Sequence, residues 1–209
     1  MRRNEFNVEE QEEIKAFLQE MSFGYLATAG ADGWPHLTPL NYVYVNGHIY
    51  FHGSHKGSKM KEIAASGKVA FAVAKEYAII PSYYTDPAMA CPASAFFKSV
   101  HIRGMAEAVS DLQEKAEVLS ALMEKLQPEG GYDPITPDDS RYMRELKAVA
   151  VVRVTIDELT AKFKFGQNMA AEHRDSVVAG LQERGRPDDQ ETAELMRKYC
   201  PVHRENPPQ

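Results

Sequence analysis

The sequence predicts an antiparallel barrel or α+β domain rather than a nucleotide-binding parallel sheet. Three observations carry that prediction. Short apolar runs of strand length recur between Tyr25 and Ile156, two of them joined by Asn46-Gly47. That dipeptide is a strong two-residue hairpin signal, because both central positions of a type I′ turn need positive φ. Helical periods are inserted among these strands rather than alternating strictly with them, and neither GxGxxG after the first strand nor GxxxxGK[ST] is present.

Taken in order, Asn7-Val8-Glu9-Glu10 has the form of a capping box, and Ile14, Phe17, Leu18 and Met21 follow at i, i+3, i+4 and i+7 of one helical face. Tyr25–Ala29 reads as a strand, AGADGW as a turn, Leu37–Val45 as a second, longer strand and His48–His52 as its hairpin return. Ser58–Ser66 is a short helix with Met60, Ile63 and Ala64 on one side, closed by Gly67 at C′. VAFAVA (69–74) is a buried strand, and the proline- and tyrosine-bearing stretch Lys75–Ala95 is predicted to be a long loop. Phe97–Ala108 is a strand, Asp111–Leu126 an amphipathic helix, PEGGYDPITPDD a loop and residues 148–156 a final buried strand. Two polar helices, around 174–184 and 189–199, precede a frayed PVHRENPPQ tail. The expected organisation is an N-terminal helix (1–22), a barrel domain (23–170) and a C-terminal helical extension (171–209).

Composition limits the function classes. The 209 residues are 44% hydrophobic, enough for one sizeable core, and 24 basic against 30 acidic side chains give a formal charge of −6. That balance argues against a general nucleic-acid binder. No apolar run reaches the length of a membrane span, and Cys91 and Cys200 fit no disulfide framework. With no signal-peptide pattern, a reducing cytoplasm is the expected location. Cys200 and His203 are too few for a metal site, and no G-x-S-x-G marks a serine nucleophile. Cys91 has no basic neighbour to activate it.

One segment carries chemistry. HGSHKGSK (52–59) holds no acid across eight residues and opens onto a helix. Gly57 allows close backbone approach, Ser58 and Lys59 supply a hydroxyl and an ammonium, and the helix start adds amides and a positive dipole end. A phosphate or another anion is the ligand this chemistry suits. The plainer reading is a solvated turn with Ser58 as an N-cap. Ser99, His101 and Arg103 share a strand face and could line a site, although polar outer faces are commoner. Trp34 and the tyrosines at 42, 44, 83 and 84 could stack on a ring, or simply fill a core.

HLTPLNYVYVNGHIYFHGSHKGSKMKEI resembles the central strands of the FMN-binding split-barrel, pyridoxamine 5'-phosphate oxidase-like superfamily, and within it the nitroimidazole-resistance (Nim) type. FFKSVHIRGMAEAVSD is similar to that group's later strand, and KFKFGQN (162–168) to its closing segment. The resemblance spans about residues 20–170 in the family's order. It implies a mainly β split barrel with peripheral helices, an FMN cofactor and a homodimer with the flavin at its interface. It also implies flavin-dependent oxidoreductase activity on a small molecule, with electrons drawn from a reduced nicotinamide (NAD(P)H) and no nucleic-acid or membrane partner. A non-catalytic flavin-binding protein and a haem-binding relative are the alternatives. Residue by residue, His36, Thr38, Pro39, Leu40 and Asn41 would flank the flavin; Phe51, His52 and Gly53 would meet its ribityl or phosphate end. Ser58 and Lys59 match the phosphate-holding pair, Ser99 a position beside the flavin, and Gln167 and Asn168 the closing segment. Many relatives have Arg where Ser58 stands, so a bidentate grip is missing, and His52, His55 or Lys56 would have to compensate.

Overall fold

In the computed structural model, residues 4–200 are described; the expected PVHRENPPQ tail, with His203, lies outside them. The chain divides into two units. The larger comprises Glu10–Val73 and Val100–Thr160, the smaller the described residues up to Glu9, Ala74–Ser99 and the described residues from Ala161. Strands β6 (Lys68–Ile80), β7 (Ser94–Ala108) and β8 (Ala150–Lys164) each run from one unit into the other.

The larger unit holds helix α1 (Gln11–Glu20), strands β2 (Phe23–Ala29), β3 (Pro35–Asn41), β4 (Val43–Val45) and β5 (His48–Gly53), and helix α2 (Ser58–Ser66). Helices α3 (Leu112–Leu126) and α4 (Ser140–Ala148) lie between β7 and β8 in sequence. Strand order is β3-β2-β6-β7-β8-β5-β4, with antiparallel ladders β2/β3, β2/β6, β4/β5 and β5/β8. The expected antiparallel α+β fold is therefore present. β3 and β4 stand at opposite ends of this order yet are joined through Tyr42 alone. Consecutive Cα atoms are only about 3.8 Å apart, so the two sheet ends must meet at this corner. They meet without a ladder between them, so the sheet is not closed by hydrogen bonds at this corner.

The single strand expected over Leu37–Val45 is broken at Tyr42. The Tyr42 amide donates to the Ser22 carbonyl (3.1 Å) and its hydroxyl to the Leu18 carbonyl (2.9 Å). Its ring is fully buried, edge-on to Phe71 at 5.0 Å. Burial of so large a ring outweighs continuing a half-exposed strand. Ile14, Phe17 and Leu18 of α1 are buried as their spacing predicts. The capping box does not form: Glu10 is the N-cap without a side-chain bond, and Asn7 donates to Glu9 instead (2.9 Å). α3 buries Val118 and Leu122 with Val43, Tyr50, Val109 and Val151. The ammonium of Lys115 donates to the Leu146 and Val149 carbonyls (2.9 and 2.8 Å), joining α3 to the end of α4. α4 is a helix that sequence reading leaves unassigned, although Tyr142 and Met143 stand four and three residues before the buried Leu146 and Asp139 caps its start by accepting from the Arg141 amide (2.8 Å).

In the smaller unit, β1 (Asn7–Val8) pairs with β8 at Lys162 and Ala161. The predicted loop over Lys75–Ala95 is shorter than expected: β6 continues to Ile80 and β7 begins at Ser94, which leaves residues 81–93 as the connection. All three prolines of that stretch, at 81, 87 and 92, fall after Ile80, so nothing in the backbone stops β6 earlier. The final strand likewise runs to Lys164 rather than residue 156. Helices α5 (Ala171–Arg184) and α6 (Asp189–Lys198) follow. The Arg184 guanidinium grips Asp189 through two bonds (2.9 and 2.5 Å) and also donates to the Ile79 carbonyl (2.8 Å), while the Tyr84 hydroxyl donates to Gly180 (2.9 Å).

Candidate functional site

The turn from β5 into α2, in the larger unit, is basic and holds no carboxylate from Ile49 to Lys61. β5 alternation buries Phe51 and turns His52 outward. The Lys59 ammonium lies 5.2 Å from the centre of the Phe51 ring. It also lies 3.4 Å from where a Cβ on Gly53 would stand, ordinary contact distance, which places the amine directly against the end of β5. Gly57, not Ser58, is the N-cap, and Ser58 is the first helical residue. The capping-serine reading of this turn is thus corrected. Gly57 has no side chain to cap with, and the first intrahelical bond runs from Lys61 to its carbonyl (3.2 Å). The amides of Ser58, Lys59 and Met60 stand ahead of that bond, at the positive end of the helix dipole.

Burial holds the Lys59 ammonium below the usual lysine range, and burial followed by the Lys59 charge does the same to the His52 imidazole. A buried cation with its pKa pushed down is short of a counter-charge. His52 therefore contributes a neutral ring near neutral pH, and Lys59 carries the charge. Ser54 accepts the Lys56 amide (3.1 Å) and shapes the turn; His55 and Lys56 are exposed.

Of the residues on β3, His36, Thr38 and Leu40 share one face and Pro39 the other. Leu40 is buried, and the Asn41 amide donates to the Ser22 carbonyl (3.1 Å), so both serve the fold with their side chains. β3 ends the strand order, which leaves it one backbone edge beyond β2. His36 Nδ1 meets Glu62 Oε1 at 2.6 Å, and Thr28 Oγ1 donates to Glu62 Oε2 at 2.5 Å. Glu62 and Thr28 escaped sequence reading; the signal was that Glu62 is the first acid after the basic turn, one helical turn from Ser58.

Ser99, Gln167 and Asn168 belong to the smaller unit. Ser99 is buried, and Asn168 is exposed. The Gln167 side chain accepts from the Phe165 amide (2.7 Å) and donates to the Phe163 carbonyl (2.6 Å), closing the end of β8 on itself. In the larger unit Arg103 pairs with Glu158 on an exposed face, and with His101, Tyr25 and Leu37 it lines a cleft of about 320 Å³. A second cleft of about 700 Å³ runs from His52, Gly53 and Ser54 along Leu119, Leu122 and Met123 of α3. Among the described residues no group of three or more His, Cys, Asp and Glu is placed to hold a metal, and no helix is long and apolar enough to cross a membrane.

Residues 10–163 match the pyridoxamine 5'-phosphate oxidase family. The chain belongs to this family. Its member here is also 26% identical over 200 residues to the protease synthase and sporulation protein PAI 2 of Bacillus subtilis (strain 168), covering 91% of this chain and 93% of that one. The structure superposes on flavocytochrome Anf3 of Azotobacter vinelandii with a TM-score of 0.64 at 25% identity, over 77% of this chain and 70% of the other. It superposes on a protein of Bacteroides thetaiotaomicron VPI-5482 assigned to 5-nitroimidazole antibiotic resistance with a TM-score of 0.60 at 20% identity, over 75% and 85% of the two chains. The family expected from the β3–α2 segment is thereby found, and the fold of this oxidase-family chain is shared with the nitroimidazole-type structure.

Proposed function

We propose that this oxidase-family chain binds FMN with its phosphate at the β5–α2 turn and acts, as a homodimer, as a flavin-dependent oxidoreductase on a small molecule. The observation that carries this reading is the half-buried Lys59 ammonium beside Gly53 and the uncapped start of α2. The residues present fit a phosphate: an ammonium lacking a counter-charge, three first-turn amides, the Ser58 hydroxyl and no carboxylate from Ile49 to Lys61. Bound flavin would supply the redox chemistry, taking a hydride from a reduced nicotinamide and passing two electrons to a small acceptor. The chain's own part is to bind and orient. Lys59 holds the phosphate, Phe51 backs the ammonium, and the free edge of β3 offers backbone groups from His36 to Asn41.

The outer face of β2 and β3 supports the dimer. Tyr25 stands opposite Pro39, and Ala27 opposite Leu37, with Ala70 and Ala72 of β6 alongside. Tyr25 is 44% and Leu37 65% exposed, and Phe23 extends the same row. A contiguous apolar sheet face of this kind is characteristic of an interface.

The absorption spectrum of the isolated protein is the first test. Twin flavin bands, with mass analysis of the heat-released compound giving FMN, support the reading. Anaerobic bleaching by a reduced nicotinamide supports turnover; a flavin that stays yellow leaves binding alone. Similarity to a flavocytochrome favours one rival, haem in the barrel, and a Soret band in the same spectrum would establish it.

A further inference from the structure

α2 carries the proposed phosphate-holding residues; its far end is held by β7, where the Ala106 amide donates to the Gly67 carbonyl (2.7 Å), and its first turns have fewer attachments. It is nine residues long, with Ile63 its one buried residue, and its N-cap offers no side-chain bond. Helices this short are marginal by themselves. Gly67, in the left-handed region at φ 70°, closes the far end through a bond to the Ile63 carbonyl (2.7 Å). At the near end the polar attachment to the sheet is Glu62. Its side chain is 9% exposed, and its two oxygens engage different strands: Thr28 on β2 and His36 on β3. Thr28 and His36 are themselves cross-strand partners, so the carboxylate closes a three-element ring.

We propose that Thr28, His36 and Glu62 form a tether that sets the position of α2, and through it of Ser58 and Lys59 one turn earlier, making Glu62 and Thr28 positioning residues for the phosphate of the flavin. The inference rests on the reading that FMN binds at this turn. Charge alone makes the opposite prediction. A carboxylate one turn from a phosphate repels it, so a purely electrostatic Glu62 would weaken binding and its removal would tighten it. Both oxygens are instead occupied by hydrogen bonds to Thr28 and His36, which direct the carboxylate toward the sheet as an anchor requires.

The test compares Glu62→Ala, Glu62→Gln and Thr28→Val by FMN titration and by hydrogen exchange of the ligand-free proteins. Glu62→Ala removes both bonds, and the dissociation constant for FMN is expected to rise about tenfold, with α2 amides exchanging at least about tenfold faster and β2 amides unchanged. Glu62→Gln keeps an acceptor for Thr28 and offers an amide donor to Nδ1 in the other imidazole tautomer, so both readouts should stay within about threefold of wild type. Thr28→Val keeps the shape and loses one bond, and should fall between them. Wild-type affinity or tighter binding in Glu62→Ala overturns the tether. So does weaker binding with α2 exchange unchanged, or a Glu62→Gln loss as large as that of Glu62→Ala. If Glu62→Ala fails to fold, the two isosteric variants decide on the same readouts. Wild-type protein that binds no FMN defeats the proposed function instead, and exchange then judges the tether by itself.

Discussion

The Lys59 ammonium sits 5.2 Å from the centre of the Phe51 ring and in contact range of Gly53. A half-buried cation against a ring face is partly compensated, by about 0.5–2 kcal/mol, and still lacks an anion. Substituting Lys59 with Ala should therefore weaken FMN binding by about 1.5–3 kcal/mol, the worth of a charge-assisted contact. Fluorescence titration of FMN measures this, and unchanged affinity would move the phosphate away from the turn.

Proton linkage gives a second expectation. Burial lowers the Lys59 pKa in the folded protein from its ordinary 10.5. Between the lowered and the ordinary value the unfolded chain binds more protons, so this group makes the ligand-free protein more stable as pH rises through that window. FMN affinity runs the other way, because the phosphate needs the ammonium. Titrations at rising alkaline pH should show weakening that begins below 10.5, and Lys59→Met should remove that dependence.

Leu37 stands on the exposed apolar face opposite Ala27. Leu37→Glu places a charge where two copies would bury it, which costs several kcal/mol per unpaired ion. Sedimentation should show a wild-type dimer and a Leu37→Glu monomer with an unchanged circular dichroism spectrum. A wild-type monomer would remove the dimer from the proposal.

Tyr42→Phe tests the barrel corner. Losing the bond to the Leu18 carbonyl, a buried acceptor, should cost about 1–3 kcal/mol of stability, read from urea denaturation. Loss of Leu18 packing is not involved, since the ring stays.

Where one rule governed a segment, the sequence was legible. Asn46 and Gly47 both have positive φ, as the hairpin requires, and α2 occupies Ser58–Ser66 as read. The family was legible in the ordered segments from His36 to Asn168. What was hidden depended on tertiary partners. Tyr42 looks like any strand tyrosine until Leu18 and Ser22 are brought to it. α4 is only nine residues long, shorter than the window over which a helical repeat is counted. The Gln167 side chain, expected at the closing segment of a flavin site, bonds within its own strand end, a contact no spacing announces. Glu62 reads as a surface helix acid, and only the fold sets it between Thr28 and His36.

The Tyr42 corner makes the chain unevenly tolerant of guest sequence. Between α3 and α4 the backbone wanders through residues 127–139, and extra length there adds only a slowly growing entropic penalty. Between Asn41 and Val43 a single residue joins the two end strands of the sheet, so any spliced peptide would slacken the link that holds β3 and β4 together.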